Sequence, residues 1–435
     1  MLSSSAGPRA ASPPVPGLEV RPFRALTYGH RNGDALARVS SPAYDLVSPA
    51  GRDQLARTDP HNIVRLILPR ATTGGGGETV EEAARTLREW EATGVLERDA
   101  HPALWLYELQ PADGVPATVG WLGAVTLPAE HTPAVLPHED TYPAAVEGRR
   151  ALLAATQTDL EPIVLAHDPE PEVAEQAEAV RQAPPTMELL DSEGVRHRLW
   201  RVADPAVHSS VGNALRRTGA VIADGHHRFA AARANARAQR CASGTDAVLA
   251  LVTPMGPGGL RVDPIHRVVP DLGLPAALAA AGHGFVTADV PVDGADAAAV
   301  IAAARAWLGD PAERGLLLTD GRQLVRLSAA SPAVRATVPA EAPASWRDLD
   351  VVLAHHGLMG HLWGRPDTVD SVLIAHSLEE AVRTAAERSG VAVLLRAPSP
   401  TDVAAVARAG ARMPRKSTLF VPKPRTGLVL RPLGG

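Results

Sequence analysis

The chain holds one cysteine, Cys241, in 435 residues. A disulfide needs two sulfurs, so an internal bridge framework is excluded, and the scarcity of thiols fits a reducing compartment. Lysine is nearly as rare. Lys and Arg total 43, but only Lys416 and Lys423 are lysines, so arginine supplies 41 of these side chains. The net charge is −5 and no basic tract interrupts the mixture. Proteins that grip nucleic acid by its phosphate backbone carry a basic stripe, so the composition speaks against nucleic acid as a partner. No apolar run approaches the roughly 18–20 residues of a membrane span. Residues 1–16 lack the apolar stretch of an export signal and read as a disordered Pro/Ala/Ser tail. The glycine run 74–77 is not followed by Gly-Lys-Ser/Thr, so it reads as a flexible turn and not as a Walker-type phosphate loop. A cytoplasmic enzyme or regulator is the expectation.

What remains is an ordinary folded composition, 45% hydrophobic and 21% charged. At roughly 100–200 residues per domain, two or three units are expected. Strands are expected over 18–26, 62–68, 103–110 and 118–127, with a helix over 78–93 where Glu and Arg surround Ala83, Leu87 and Trp90. A helix over 169–183 and a hairpin over 187–202 follow. A second unit is expected from about residue 273, giving regions 17–272 and 273–435. It offers helices over 295–308, 378–388 and 401–409, and strands over 315–318, 323–327 and 391–396. The fold class is mixed α/β (α+β).

The segment with most chemistry is Ala220–Arg240, AVIADGHHRFAAARANARAQR. A short apolar strand, 220–223, runs into Asp224-Gly225 and then into strong helix formers. Asp224 is expected to cap the helix and Gly225 to permit the bend. His226, His227 and Arg228 then fall in the first helical turn, where free N–H groups favour an anion. Arg228, a cation at that end, points to compensation by a bound anion such as phosphate. An ordinary capped helix with solvated polar residues explains the same pattern. Adjacent histidines diverge on a helix and rarely share one metal ion, so no metal site is assigned.

Here the sequence resembles a family. IADGHHRFAAA is similar to the signature of the bacterial domain-of-unknown-function family 1015. The other motifs of that resemblance are RPFRAL at Arg21–Leu26, SPAYDLVSP at Ser41–Pro49, HNIVRLILP at His61–Pro69, LPHEDTYP at Leu136–Pro143, DPIHRVV at Asp263–Val269, and MPRKSTLFVPKPRTGLV at Met413–Val429. The DGHHR run is also similar to the active-site motif of free serine kinases, members of the ParB/sulfiredoxin-like superfamily. That likeness implies a ParB/sulfiredoxin-like core with large insertions plus a second α/β unit. It implies a helix N-terminus that holds nucleotide phosphates, with Asp224 near the transferred phosphoryl and Gly225, His226, His227 and Arg228 around the phosphate. This chain is far longer than those kinases, so large segments lie outside the shared motif.

Phosphoryl transfer needs charge neutralisation, usually with Mg²⁺, and a carboxylate to position or deprotonate the acceptor. Candidate carboxylates are Asp45, Glu139 and Asp140, all in proline-flanked loops. Asp45 could equally cap a turn. His266 and Arg267 are candidate phosphate contacts, with a structural Arg–Asp pair as the alternative. Lys416, Ser417 and Thr418 precede the apolar 419–421. An ammonium is a compact point charge suited to phosphate, and a chain that otherwise uses arginine keeps lysine here. A basic surface segment is the plainer reading. His355, His356 and Cys241 are read as packing or surface residues.

The expected activity is a small-molecule kinase or phosphotransferase that uses ATP or ADP with Mg²⁺ and a small hydroxyl acceptor such as free serine. A phosphatase or nucleotide hydrolase in the same pocket, or a ParB-like nucleotide-binding regulator without catalysis, are the alternatives.

Overall fold

The computed structural model describes residues 17–70, 78–112, 114–129, 132–240, 242–294, 296–347, 349–366, 368 and 371–434. The tail 1–16, the glycine run 74–77 and Cys241 lie outside them.

Two sheets organise the chain. The first has nine strands, in the order Val135–Leu136, Ala220–Asp224, Ile163–His167, Ala247–Pro254, Thr118–Thr126, Leu104–Gln110, Arg196–Val202 and Met187–Leu190, with Val20–Arg21 added beside Thr118–Thr126. Ala247–Pro254 runs parallel to Ile163–His167, and Ala220–Asp224 parallel to Val135–Leu136; the other neighbours are antiparallel. Its central strands are apolar on both faces because both are covered. Trp105, Tyr107, Leu249 and Leu251 pack with Leu87, Trp90 and Leu152 of the helices Glu78–Ala92 and Pro143–Thr156 on one side. Leu104, Leu106, Trp121 and Val252 pack with Val211, Leu215 and Phe229 on the other.

The second sheet is antiparallel throughout: Val286–Asp289, Leu324–Ser328, Leu316–Thr319, Val391–Leu394, His266–Val269, Leu373–Ala375. Helices Ala297–Gly309 and Leu378–Glu387 cover the face carrying Leu317, Ala392 and Leu394. Helix Leu274–Ala281 and the π-helical stretch Leu353–Leu362 cover Leu316, Leu318 and Val391. Strand His266–Val269, on the N-terminal side of residue 273, belongs to this sheet. After helix Pro400–Arg408 the chain returns to the first unit. Leu419–Val421 pairs with Arg261–Asp263, Leu430 bridges Leu26, and Arg431–Pro432 pairs with Thr158–Asp159. The second sheet is thus an excursion whose way out and way back lie side by side.

Local structure follows the patterning with two departures. The expected strand 62–68 is instead the helical turn Val64–Ile67. Asn62 Oδ1 accepts the Val64 N–H at 2.9 Å, while its amide donates to the carbonyls of Arg38 and Ser40 at 2.6 and 3.1 Å. An Asn side chain that accepts the backbone N–H two residues on favours a helical turn that the apolar run alone does not signal. The expected strand 18–26 is two short strands, Val20–Arg21 and Leu26–Tyr28, separated at Pro22, which has no N–H to give a ladder. Among the described residues no helix is long and apolar enough to cross a membrane.

Candidate functional site

Strand Ala220–Asp224 lies antiparallel to Ile163–His167 in regular register up to Ile222↔Leu165. It then shifts so that Asp224 stands opposite Val164. Such a bulge bends a strand and re-aims the side chain after it. Gly225 follows with φ 93° and begins helix His226–Ala238. A Cβ on Gly225 would meet Ile163 Cγ2 at 2.8 Å, so the turn needs glycine for both conformation and space. Gly225→Ala is expected to lower stability by about 3 kcal/mol in urea unfolding, from left-handed strain plus overpacking. Gly148→Ala, in helix Pro143–Thr156 with nothing within 4 Å of its added Cβ, should instead raise stability by up to about 1 kcal/mol. Equal responses of the two variants would remove the constraint argued for Gly225.

Asp224 was expected to cap this helix. It does not: the helix starts at Gly225 with no side-chain cap. The Asp224 carboxylate is spent on two cations. Oδ2 accepts from Arg228, one turn on, and Oδ1 lies 2.8 Å from Lys423 Nζ. Lys423 Nζ in turn donates to Asp45 Oδ2 at 2.5 Å. Arg228 also donates to the Pro162 carbonyl. The cation at the helix N-terminus is therefore neutralised by its own neighbour in sequence. Burial works to raise the Asp224 carboxyl, but Arg228 and Lys423 outweigh it and hold the group at about 2. Burial also opposes the Lys423 charge, and Asp224 and Asp45 overcome it, so the ammonium titrates above its ordinary value.

The two histidines of the motif act as acceptors. His226 Nε2 takes the backbone N–H of His138 at 3.3 Å, and His227 Nε2 takes that of Tyr142 at 3.1 Å. The Tyr142 ring stacks on His227, with centroids 5.8 Å apart. A neutral imidazole that accepts at Nε2 carries its proton at Nδ1. The pair thus clamps the loop 138–142 onto the helix start. Burial pushes His226 well below the usual histidine range, reinforced by His138 alongside it. That loop delivers Glu139. Thr418 Oγ1 donates to Glu139 Oε1 at 3.0 Å and, having one proton, receives one from His138 Nε2 at 2.9 Å. Burial raises the Glu139 carboxyl above its ordinary value, against the Thr418 hydroxyl and the Lys416 charge.

These groups line one cavity of about 210 Å³. It brings together Asp45, Glu139, Asp224, Gly225, His226, His227, Arg228, Lys416 and Thr418, drawn from four motifs. Other candidates lie apart. Ser417 is buried and donates to the Pro414 carbonyl at 2.6 Å. His266 is buried, its Nδ1 accepting the Leu395 N–H at 3.1 Å. Arg267, also buried, donates to the carbonyls of Arg415 and Lys416 at 2.8 and 3.0 Å, and so braces the Lys416 turn from behind. Neither is among the residues lining the cavity. Asp140 is exposed, 3.7 Å from Arg412 Nε. Lys423 was missed as a site residue, as were Tyr44 and Phe420, which also line the cavity. The signal for Lys423 was at hand: it is the second of the chain's two lysines. Among the described residues no group of three or more His, Cys, Asp or Glu is placed to hold a metal ion. Asp45 and Asp224, the natural oxygen donors, are already bridged by Lys423. A resident Mg²⁺ does not fit this donor set.

The profile of the family described as "Protein of unknown function (DUF1015)" matches residues 20–352, and the chain belongs to that family. The comparison with curated proteins gives no match. Solved structures similar to the chain include a conserved hypothetical protein from Pyrococcus furiosus, at 13% identity and TM-score 0.32, covering 72% of this chain and 93% of that one. A free serine kinase variant in complex with AMP aligns at 13% identity and TM-score 0.34, over 72% of this chain and 92% of the kinase. C-terminally truncated SbnI from Staphylococcus aureus aligns at 13% and 0.34, over 72% and 87%.

Proposed function

We propose that this member of the DUF1015 family transfers a phosphoryl group from ATP or ADP to the hydroxyl of a small metabolite, with free serine as the first acceptor to test. The observation that carries the reading is the cavity at the start of helix His226–Ala238, where both lysines of the chain meet three carboxylates, Asp45, Glu139 and Asp224. The likeness of DGHHR to the free serine kinase motif points the same way.

Each group has a task that its surroundings suit. Lys416 is exposed and free to place a point charge against phosphate oxygens. Lys423 adds a second charge, held in place by Asp45 and Asp224. Asp224, ionised down to about pH 2, is too weak a base to take a hydroxyl proton. Glu139, raised by burial, is better matched. In the proposed step Glu139 takes the acceptor O–H proton and the acceptor oxygen bonds to the terminal phosphorus. The bond from phosphorus to the bridging oxygen breaks, and the shortened nucleotide leaves with the electron pair. Mg²⁺ enters with the nucleotide as part of the substrate.

The test incubates the full chain with ATP or with ADP, MgCl₂ and a panel of hydroxy acids and polyols, and looks for phosphorylated product by mass spectrometry. Glu139→Gln is expected to cut kcat by about 10²–10⁴-fold with little change in nucleotide affinity. No product with any acceptor overturns the proposal. Inorganic phosphate released without an acceptor would reassign the cavity to hydrolysis.

A further inference from the structure

The cavity at the DGHHR turn takes part of its wall from the second unit. Three histidines line it, His226, His227 and His376. The first two are committed, each Nε2 accepting a backbone N–H from the loop 138–142. His376 is exposed, and among the described residues its ring makes no hydrogen bond or ion pair. Its backbone, by contrast, is fixed. Strand Leu373–Ala375 pairs with His266–Val269 through Ala375↔His266, and Glu380 Oε2 accepts the His376 N–H at 2.7 Å. Ser377 then caps helix Leu378–Glu387, its Oγ taking the Glu380 N–H at 3.1 Å. The free ring therefore stands on a corner held by a sheet and by a helix cap. The neighbouring strand carries Arg267, which braces the Lys416 turn.

The charges that face the ring come from every element around it. Burial lowers the His376 imidazole, and Glu380, from the helix that follows, works to raise it. Lys416 and Lys423, from the returning C-terminal segment, and Arg267, from the neighbouring strand, lower it further. The empty cavity thus holds His376 neutral at pH 7. An anion placed among the same cations offsets them, and a negative charge close to an imidazole favours its protonated form.

We propose that His376 is a phosphate-binding residue of this cavity, which takes a proton from solvent as the nucleotide arrives and donates it, as imidazolium, in a hydrogen bond to a phosphate oxygen. The inference rests on the phosphoryl-transfer reading of the cavity and gives the second unit a part in it. A charge that appears only with the ligand spares the empty cavity the repulsion that a third permanent cation beside Lys416 and Lys423 would bring. It also selects for charge, since a neutral ligand leaves the ring unprotonated.

The experiment titrates ADP with MgCl₂ into the full chain by calorimetry at pH 7, in two buffers of different ionisation enthalpy. The difference in heat gives the protons taken up per ADP bound. Expected is an uptake of about half a proton or more, lost in His376→Gln, which also binds ADP about tenfold more weakly. At pH 9 the ring is neutral with or without ligand, and the two proteins should bind ADP within about twofold of each other. His376→Lys, charged throughout, should restore the affinity without the uptake. The position is exposed, so neither variant should move the thermal midpoint. Failure of ADP to bind removes the phosphate reading and this inference together. ADP that binds with no proton uptake overturns the inference alone. The same uptake in His376→Gln does so too, and places the proton on Glu139 or His227 instead.

Discussion

Lys423→Met is expected to destabilise the chain by about 3 kcal/mol or more in urea unfolding at pH 7. Its ammonium lies within 2.8 Å of two carboxylates, with a side chain only 9% exposed. Asp45 is a third exposed, so water takes over much of its solvation when the cation goes. Asp224 is 14% exposed and cannot be rehydrated in the same way, so the cost falls there, where Arg228 is left as its one remaining cation. Removing one member of a buried pair costs more than the pair is worth, because the remaining charge stays out of water. Lys416→Met makes the contrast. Lys416 is exposed, so its loss should change stability by no more than about 0.5 kcal/mol, while under the proposed function it weakens nucleotide binding. The two lysines are thus expected to separate, one holding the site together and the other serving it. A shift below about 1 kcal/mol for Lys423→Met would mean that the Asp45–Lys423–Asp224 bridge is not a structural element.

Acidification is the second large effect. His138 and His266 are fully buried, and burial lowers each from 6.5 to about 4. As the pH falls through 6.5 the unfolded chain binds a proton on each ring, and the folded chain does not until about pH 4. Their contribution to stability is complete above 6.5 and is lost on the way down to 4, at about 3 kcal/mol for each. Asp350 opposes them, as does Glu139, whose carboxyl burial also raises. Burial raises Asp350 from 3.8 to about 6, so the folded chain binds its proton first and gains up to about 3 kcal/mol over the same interval. His226, His167 and His197 are lowered by burial too and add to the loss. The net expectation is a fall of at least about 3 kcal/mol between pH 6.5 and 4, measured by denaturant titration at each pH. Asp224 extends it. With a folded value of about 2 against 3.8, its contribution is present above 3.8 and disappears as the pH drops through 2. Since the titrating rings are buried, added salt should hardly alter the profile. A stability curve flat from pH 7 to 4 would contradict the reading.

Much of the fold was legible in local patterning. The apolar 103–110 and 118–127 are strands of a doubly covered sheet, and the Glu/Arg-rich 78–93 is a helix, because burial on both faces and amphipathic spacing leave marks in composition. The segment 62–68 was not legible, since a single asparagine decides its conformation through three hydrogen bonds. The strand–turn–helix at Asp224 followed directly from glycine between an apolar run and helix formers. What Asp224 does there did not follow, because its partner Lys423 lies 199 positions along the chain. A linear scan weighs Asp224 against its neighbours, where capping is the nearest use for it. Likewise His226 and His227 read as phosphate donors until the backbone of a distant loop is seen to donate to them.

The return of the chain to the first unit sets an order of events during synthesis. Residues 45, 139 and 224–228 leave the ribosome long before 416 and 423. Until Lys423 emerges, Asp45 lacks this ion-pair partner and Asp224 has only Arg228. A growing chain that ends before residue 416 therefore carries the DGHHR motif without either lysine of the cavity. Under the proposed function, only translation through the MPRKSTLFVPKP segment supplies the two lysines that the phosphate would meet.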